Sequence, residues 1–345
     1  MRSQTLWGEK PYYSLDFRLR RQFGEKVYRL SLNGGMTCPN RDGTIGTGGC
    51  IFCSAGGSGD FAADKGLSIT EQIQSQKEAL RGKKPAKKYI AYFQAYTNTY
   101  APADYLEKIF TEAMADEDVA VLSVATRPDC LPEETLDLLE RLNRVKPVWV
   151  ELGLQTVQEN TACLIRRGYE LPCFERAVRE LRERKIEVIV HTILGLPGEG
   201  RKEIFETIRY LNGCEIQGIK LQLLHILKGT ELGRRFEAQN GHPESEDLRN
   251  ERLESEGLQS EGQQNGHSNP PIRVMEMEEY VELVIDCLER LSPEIVVHRL
   301  TGDGPRELLL APLWSCRKRT VLNRIHSRMK ERNTWQGRCA EVPKH

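Results

Sequence analysis

Six apolar, β-branched runs alternate with stretches of helical period, and this alternation limits the chain to very few folds. The runs are KVYRLSL, KYIAYFQAY, VAVLSVAT, PVWVELGLQ, EVIVHTILGL and GIKLQLLHIL. Between them lie SITEQIQSQKEAL, ADYLEKIFTEAMA, PEETLDLLERLN, CFERAVRELRERK and RKEIFETIRYLNG, each with apolar residues three or four apart. Strands joined by single helices run parallel with right-handed crossovers, so the pattern predicts either a doubly wound sheet or an incomplete (β/α) barrel. In both, ligands sit at the carboxyl ends of the strands.

The chain divides at a change in composition. Residues 237–268 carry eight acidic side chains against Arg249 and Arg252, so the rest of the protein holds a net charge of +5 although the whole sums to −1. With three leucines and no aromatic or β-branched residue, that stretch cannot bury enough surface to offset the entropy of ordering. The expected organisation is therefore an N-terminal extension at 1–26, the βα units at 27–236, a disordered acidic insertion at 237–270, and a small α/β cap with a basic tail at 271–345. In the cap, MEEYVELVIDCLERLS has helical period and EIVVHRL is expected to be one more strand, followed by a TGDGP turn that returns Asp303 toward the strand ends.

No apolar stretch at the N-terminus resembles a secretory signal, and no run is long enough to span a membrane. Cys130, Cys163, Cys173, Cys214, Cys287, Cys316 and Cys339 lie singly, as reduced thiols do in a cytoplasmic enzyme. Cys38, Cys50 and Cys53 differ. They crowd into TCPNRDGTIGTGGCIFCS, directly after the first strand, which places three thiols at the ligand-binding mouth.

Disulfide, zinc and iron-sulfur chemistry each use closely spaced cysteines. A structural zinc site wants four closed ligands, and this chain has a single C-x2-C pair; His191 and His225 are available to complete one but lie within distant strands. A redox C-x-x-C pair would leave Cys38 and its long glycine loop without a role. Three cysteines lacking a fourth suit an iron-sulfur cube whose last iron binds something else, and GTIGTGGC gives the backbone freedom to wrap one.

The cysteine run resembles the cluster loop of the radical S-adenosylmethionine (SAM) enzymes, in the version with a long first gap found in the elongator-catalytic-subunit-like branch. TRPDCL at 126–131, ELGLQT at 151–156, HTILGLPGE at 191–199 and RLTGDGP at 299–305 look like signature strings of a bacterial-type family within that branch. The chain departs from that pattern in RRGYE, with Tyr169 where relatives tend to carry histidine, and in the acidic insertion. The resemblance implies a partial (β/α)6 TIM-like barrel, a 4Fe-4S cluster on Cys38, Cys50 and Cys53, and SAM as cofactor. It also implies an electron donor such as flavodoxin or ferredoxin, and radical chemistry on a wobble uridine of tRNA.

Such chemistry needs groups for the methionyl, ribose and adenine parts of SAM. The superfamily's Gly-Gly-Glu string after the second strand is absent, and Gln94, Thr97 and Asn98 are the polar groups available there. Glu151 and Gln155 follow on the fourth strand, where a buried carboxylate requires a partner such as a ribose hydroxyl or the sulfonium. Gly195 and Pro197 allow close backbone approach to an adenine ring. Arg127, at the end of the third strand, is expected either to face the mouth or to pair locally with Asp129. The tail cations, among them Arg317, Lys318, Arg319, Arg324, Arg328 and Arg332, offer a phosphate-tracking surface. A different class of function fits the same residues: a metal-stabilised RNA-binding or regulatory protein without radical chemistry.

Overall fold

A computed structural model describes residues 7–57, 59–81, 87–241, 270–302 and 304–340. Six strands, β1 (Val27–Leu32), β2 (Lys88–Phe93), β3 (Val119–Thr126), β4 (Val148–Gln155), β5 (Glu187–Leu194) and β6 (Gly218–Leu223), lie side by side in that order, each parallel to the next. Helices α2 (Ile69–Leu80), α3 (Ala103–Ala115), α4 (Glu133–Asn143), α6 (Leu171–Glu183) and α7 (Arg201–Asn212) provide the crossovers, with short α5 (Glu159–Leu164) ahead of α6. Local chemistry sets their starts. Ser68 and Glu71 form a reciprocal capping box on α2, and the Glu203 side chain accepts from the Gly200 amide at the start of α7.

The expected partial barrel is present, with one strand more than the six units supply. After α8 (Glu231–Gln239), helix α9 (Met277–Arg290) leads into β8 (Val296–Arg299), which pairs parallel to β6 as the seventh strand of the same sheet. EIVVHRL therefore completes the barrel wall instead of belonging to a separate cap, because the open edge of β6 offers unpaired backbone groups that a further strand satisfies. The outer edge of β8 is covered in turn, as the Val297 amide donates to the Tyr13 carbonyl at 2.7 Å. The sheet curls enough for Arg29 of β1 to reach His298 Nδ1 of β8 at 3.1 Å.

Two apolar layers hold this arrangement. The larger fills the space between sheet and outer helices, with Leu30, Phe93, Phe110, Leu139, Phe174 and Val284 fully buried. The smaller closes the barrel's lower end, where Val27, Ile90, Val121, Trp149 and Ile189 meet Leu19 of α1 (Leu15–Phe23). What the sequence offers as an N-terminal extension is thus a plug that seals the end opposite the site. The run GIKLQLLHIL breaks at Leu224–His225, and β7 (Ile226–Leu227) pairs antiparallel with β9 (Leu309–Ala311) beside the barrel mouth.

Part of the acidic stretch is structured, since residues 237–239 complete α8; residues 242–269 of the expected insertion lie outside the described residues, as does Asp303. Much of the basic tail is neutralised. Helix α10 (Lys318–Glu331) lies along α9, and Arg324 bonds Glu278 at 3.0 Å while Arg332, just beyond its end, bonds Asp286 at 2.8 Å and Glu289 at 3.0 Å. Arg328 pairs with Glu282 in the same ladder.

Candidate functional site

The loop from Asn33 to Ser68 carries the three cysteines from the end of β1 across the barrel mouth. Cys38 opens a tight turn, its carbonyl accepting the Arg41 amide at 2.8 Å, and Cys50 and Cys53 close another, with the Cys53 amide donating to the Cys50 carbonyl at 3.0 Å. Ile51 between them is 1% exposed and anchors that turn in a separate apolar cluster with Ile165, Leu196, Leu224 and Leu232. Backbone bonds from the Ile51 amide to the Ile165 carbonyl and from the Leu232 amide to the Ile51 carbonyl fix the anchor. The Thr97 amide ties the end of β2 to the Thr37 carbonyl at 3.2 Å, just before Cys38.

All three thiols line one cavity of about 230 Å³ at the carboxyl ends of the strands. Burial, then the neighbouring Cys53, pushes the Cys50 thiol up to about 12 against the pull of Arg127 and a hydrogen bond from Asn40. A metal cation beside such a thiol would favour its thiolate. Three thiols from one loop on one cavity are the donors a cube takes, each cysteine on a separate iron.

The cavity floor is charged. Glu151 of β4, fully buried, forms an ion pair with Lys220 of β6, also fully buried, and accepts from Ser123 at 2.9 Å. His191 Nε2 lies 2.6 Å from the same carboxylate and an Arg29 Nη2 3.8 Å away. Burial pushes the Glu151 carboxyl up, but Lys220, Arg29 and His191 together outweigh it and hold the group well below the usual carboxylate range. Burial and the Lys220 cation push His191 down to about 4, so its imidazole is neutral near pH 7. Lys220 Nζ also bonds Tyr92 Oη at 3.1 Å.

Each expected site residue now has a position. Gln94, Thr97, Glu151 and Gln155 line the same cavity as the cysteines. Gln155 reaches it because β4 shifts register against β5 between Gly153 and Gln155, where Gln155 adopts a left-handed backbone (φ 68°). The buried Glu151 has an internal partner, Lys220. Asn98 stands behind the wall: its amide donates to the Phe93 and Ala125 carbonyls at 3.1 and 2.8 Å and ties β2 to β3. Gly195 and Pro197 also lie off the cavity. Gly195 packs where a Cβ would meet Met275, and Pro197 borders an outer hollow with Leu164, Leu232 and Pro270. Arg127 does both things expected of it, facing the cavity while clasping Asp129 through two bonds of 2.9 and 2.7 Å. Tyr169, at the position of the departure in RRGYE, lies between the guanidiniums of Arg127 and Arg167, 5.1 and 4.7 Å from its ring centre.

Sequence reading missed Lys220, Tyr92, Arg29 and Arg299 at the floor, and Asn40 and Arg41 beside the thiols. Lys220 had a signal, as a lone charge inside the apolar run GIKLQLL. His225 closes the far wall, bonded at 3.1 Å to Ser315, with Gly302 and Gly304 packed so near its ring that no Cβ would fit at Gly302.

The family model described as the radical SAM superfamily matches residues 40–211, and that described as the Radical_SAM C-terminal domain matches residues 266–331. Uncharacterized protein YtqA of Bacillus subtilis is 42% identical over 330 residues, spanning 96% of this chain and 93% of that protein. A tRNA uridine(34) acetyltransferase of Methanocaldococcus jannaschii is 26% identical over 121 residues, 34% of this chain and 22% of that one. Among solved structures, Elp3 of Methanocaldococcus infernus with an N-terminal deletion superposes with a TM-score of 0.60 at 15% identity, covering 90% of this chain and 64% of that chain, which is a likeness of fold.

Proposed function

The chain belongs to the radical SAM superfamily, and on that premise we propose that it is a cytoplasmic enzyme that holds a 4Fe-4S cluster on Cys38, Cys50 and Cys53, binds SAM beside it, and acts on a uridine of tRNA. One observation carries the reading: three thiols from a single loop line a cavity at the strand ends where, among the described residues, no fourth cysteine joins them. When bound, such a cluster supplies the single electron that breaks a sulfonium bond of SAM.

The protein's own residues have separable tasks. Gln94, Thr97 and Gln155 offer hydrogen bonds to the polar groups of SAM from the ends of β2 and β4. Asn98 holds Thr97 in place through the β2 and β3 carbonyls, and Gly195 and Pro197 shape the turn behind the Ile193 wall. Glu151, paired with Lys220, keeps the floor rigid and takes the Nε2–H of a neutral His191, whose Nδ1 is left as an acceptor. Arg317, Lys318 and Arg319 are exposed just beyond Ser315, which bonds His225 in the cavity wall. Cations at that rim suit the phosphates of a bound RNA. The local likeness to a protein named for tRNA uridine supports the same substrate class. A flavodoxin or ferredoxin is the expected electron donor.

The test is anaerobic reconstitution followed by assay of 5′-deoxyadenosine from SAM and dithionite, beside nucleoside analysis of tRNA from a strain lacking the gene. SAM cleavage and one altered uridine derivative are expected. A colourless zinc protein that leaves SAM intact would overturn the enzyme reading, and unchanged tRNA nucleosides would remove tRNA as substrate.

A further inference from the structure

We propose that Asn40 and Arg41 set the reduction potential of the cluster, each donating an N–H···S hydrogen bond to one of its cysteines, Asn40 to Cys50 and Arg41 to Cys53. The inference rests on the cluster reading above and assigns a role to the long first gap. Asn40 Nδ2 lies 3.6 Å from Cys50 Sγ and donates to the Arg166 carbonyl at 2.6 Å. That carbonyl can only accept, so it fixes which end of the amide faces the sulfur. Asn40 is 5% exposed, and its own carbonyl accepts the Gly49 amide at 2.7 Å. The site is crowded: a Cβ at Gly168 (φ 80°) would stand 2.9 Å from Asn40 Oδ1.

Arg41 mirrors this on the other cysteine. Its Nη2 donates to the Cys53 and Ser54 carbonyls at 2.9 and 2.6 Å, and against the effect of burial the nearby Cys53 and Cys38 thiols favour the Arg41 cation. Its guanidinium stacks 5.8 Å from the Tyr96 ring centre. Gly49 (φ 71°) makes room, since a Cβ there would lie 2.9 Å from Arg41 Nε. Two consecutive residues after Pro39 thus turn back across the loop to reach the two cysteines that end it.

Hydrogen bonds and cations at cluster sulfurs stabilise the state with more electron density, which is the reduced one. Removing either donor therefore makes reduction harder. A charge-assisted bond is worth about a decade or more in an equilibrium constant. If the two oxidation states differ by about one decade of that, the one-electron potential falls by about 59 mV. Because the same side chains also brace the loop, the test must separate tuning from bracing.

The experiment uses the full-length protein, reconstituted anaerobically, with the SAM-free cluster titrated against dithionite by EPR. Arg41→Gln removes the charge and is expected to lower the midpoint by about a decade in equilibrium constant, ~59 mV. Arg41→Lys keeps the charge and is expected to recover much of the shift. Parent protein carrying 15N in its asparagine side chains tests Asn40 without any variant, since pulsed EPR of the reduced cluster should detect a coupled nitrogen. The nitrogen measurement stands even where a variant cannot hold its cluster. A midpoint altered less than twofold in equilibrium constant in cluster-loaded Arg41→Gln, or no nitrogen coupling in the parent, would overturn the proposal. Failure of the parent to take up a 4Fe-4S cluster would instead overturn the cluster reading itself.

Discussion

Replacing Lys220 with methionine leaves the carboxylate of Glu151 buried without its main cation. Breaking a buried pair by removing one partner costs about 3–5 kcal/mol, because the charge left behind has lost its compensation. Here Arg29 still stands 3.8 Å from Glu151, so the low end, about 3 kcal/mol, is expected near pH 8. With 345 residues and ~2.1 cal/mol/K of unfolding entropy per residue, that lowers Tm by about 4 °C. The deficit should also depend on pH. Burial and Lys220 hold His191 at about 4 in the parent, and without the repulsion of Lys220 it is expected to titrate higher in the folded variant. A depressed folded pKa makes the parent lose stability as pH falls below the unfolded value of about 6.5, and the variant loses less, so the deficit should shrink at pH 6 and be full at pH 8. The assay is calorimetry or fluorescence-detected melting of Lys220→Met, Glu151→Gln and the double variant at both pH values. The double variant, which buries no unpaired charge, should melt above Lys220→Met. A single variant within about 1 kcal/mol of the parent, or a double variant no better than Lys220→Met, would refute the ion-pair account.

Alanine at any one of Cys38, Cys50 or Cys53 should abolish both iron retention and 5′-deoxyadenosine formation, measured by metal analysis and chromatography. Burial raises the Glu199 carboxyl to about 7. The unfolded chain therefore ionises first, and stability should fall as pH rises from about 4.5 toward 7. Glu199→Gln should accordingly raise Tm at pH 8, by up to about 2–3 kcal/mol in stability, and have little effect at pH 5. Glutamine at Arg317 and Arg319 should weaken tRNA binding and flatten its salt dependence by about one unit of slope for each phosphate no longer neutralised. Arg324→Gln, which removes a cation already paired with Glu278, should leave that slope unchanged in a filter-binding salt series.

The βα alternation was legible because each apolar run is bounded by a helix whose caps and period are local properties. The place of β8 was not, since its pairing with β6 is a long-range choice made by an open sheet edge. The short helix Leu15–Phe23 looked like an extension because Leu19 is its one fully buried residue, with Leu15 and Phe23 packed half-buried beside it. Thiol spacing pointed to the cluster loop, but the direction of a polar side chain in a glycine-rich loop leaves no periodic trace, so Asn40 and Arg41 went unnoticed. Asn98 looked like a ligand contact, while the carbonyls at the ends of β2 and β3 claimed its amide first. The tail appeared free for RNA until folding set Arg324, Arg328 and Arg332 against Glu278, Glu282 and Asp286. That match was readable, since both sets repeat every fourth residue on their helices.

Mössbauer spectroscopy of the 57Fe-reconstituted protein, recorded with and without SAM, tests the central claim most directly. Three cysteine ligands and one open iron predict a 4Fe-4S spectrum in which a single iron site separates from the other three when SAM is added. A spectrum that SAM leaves unchanged, or a protein that retains no iron at these thiols, would contradict it.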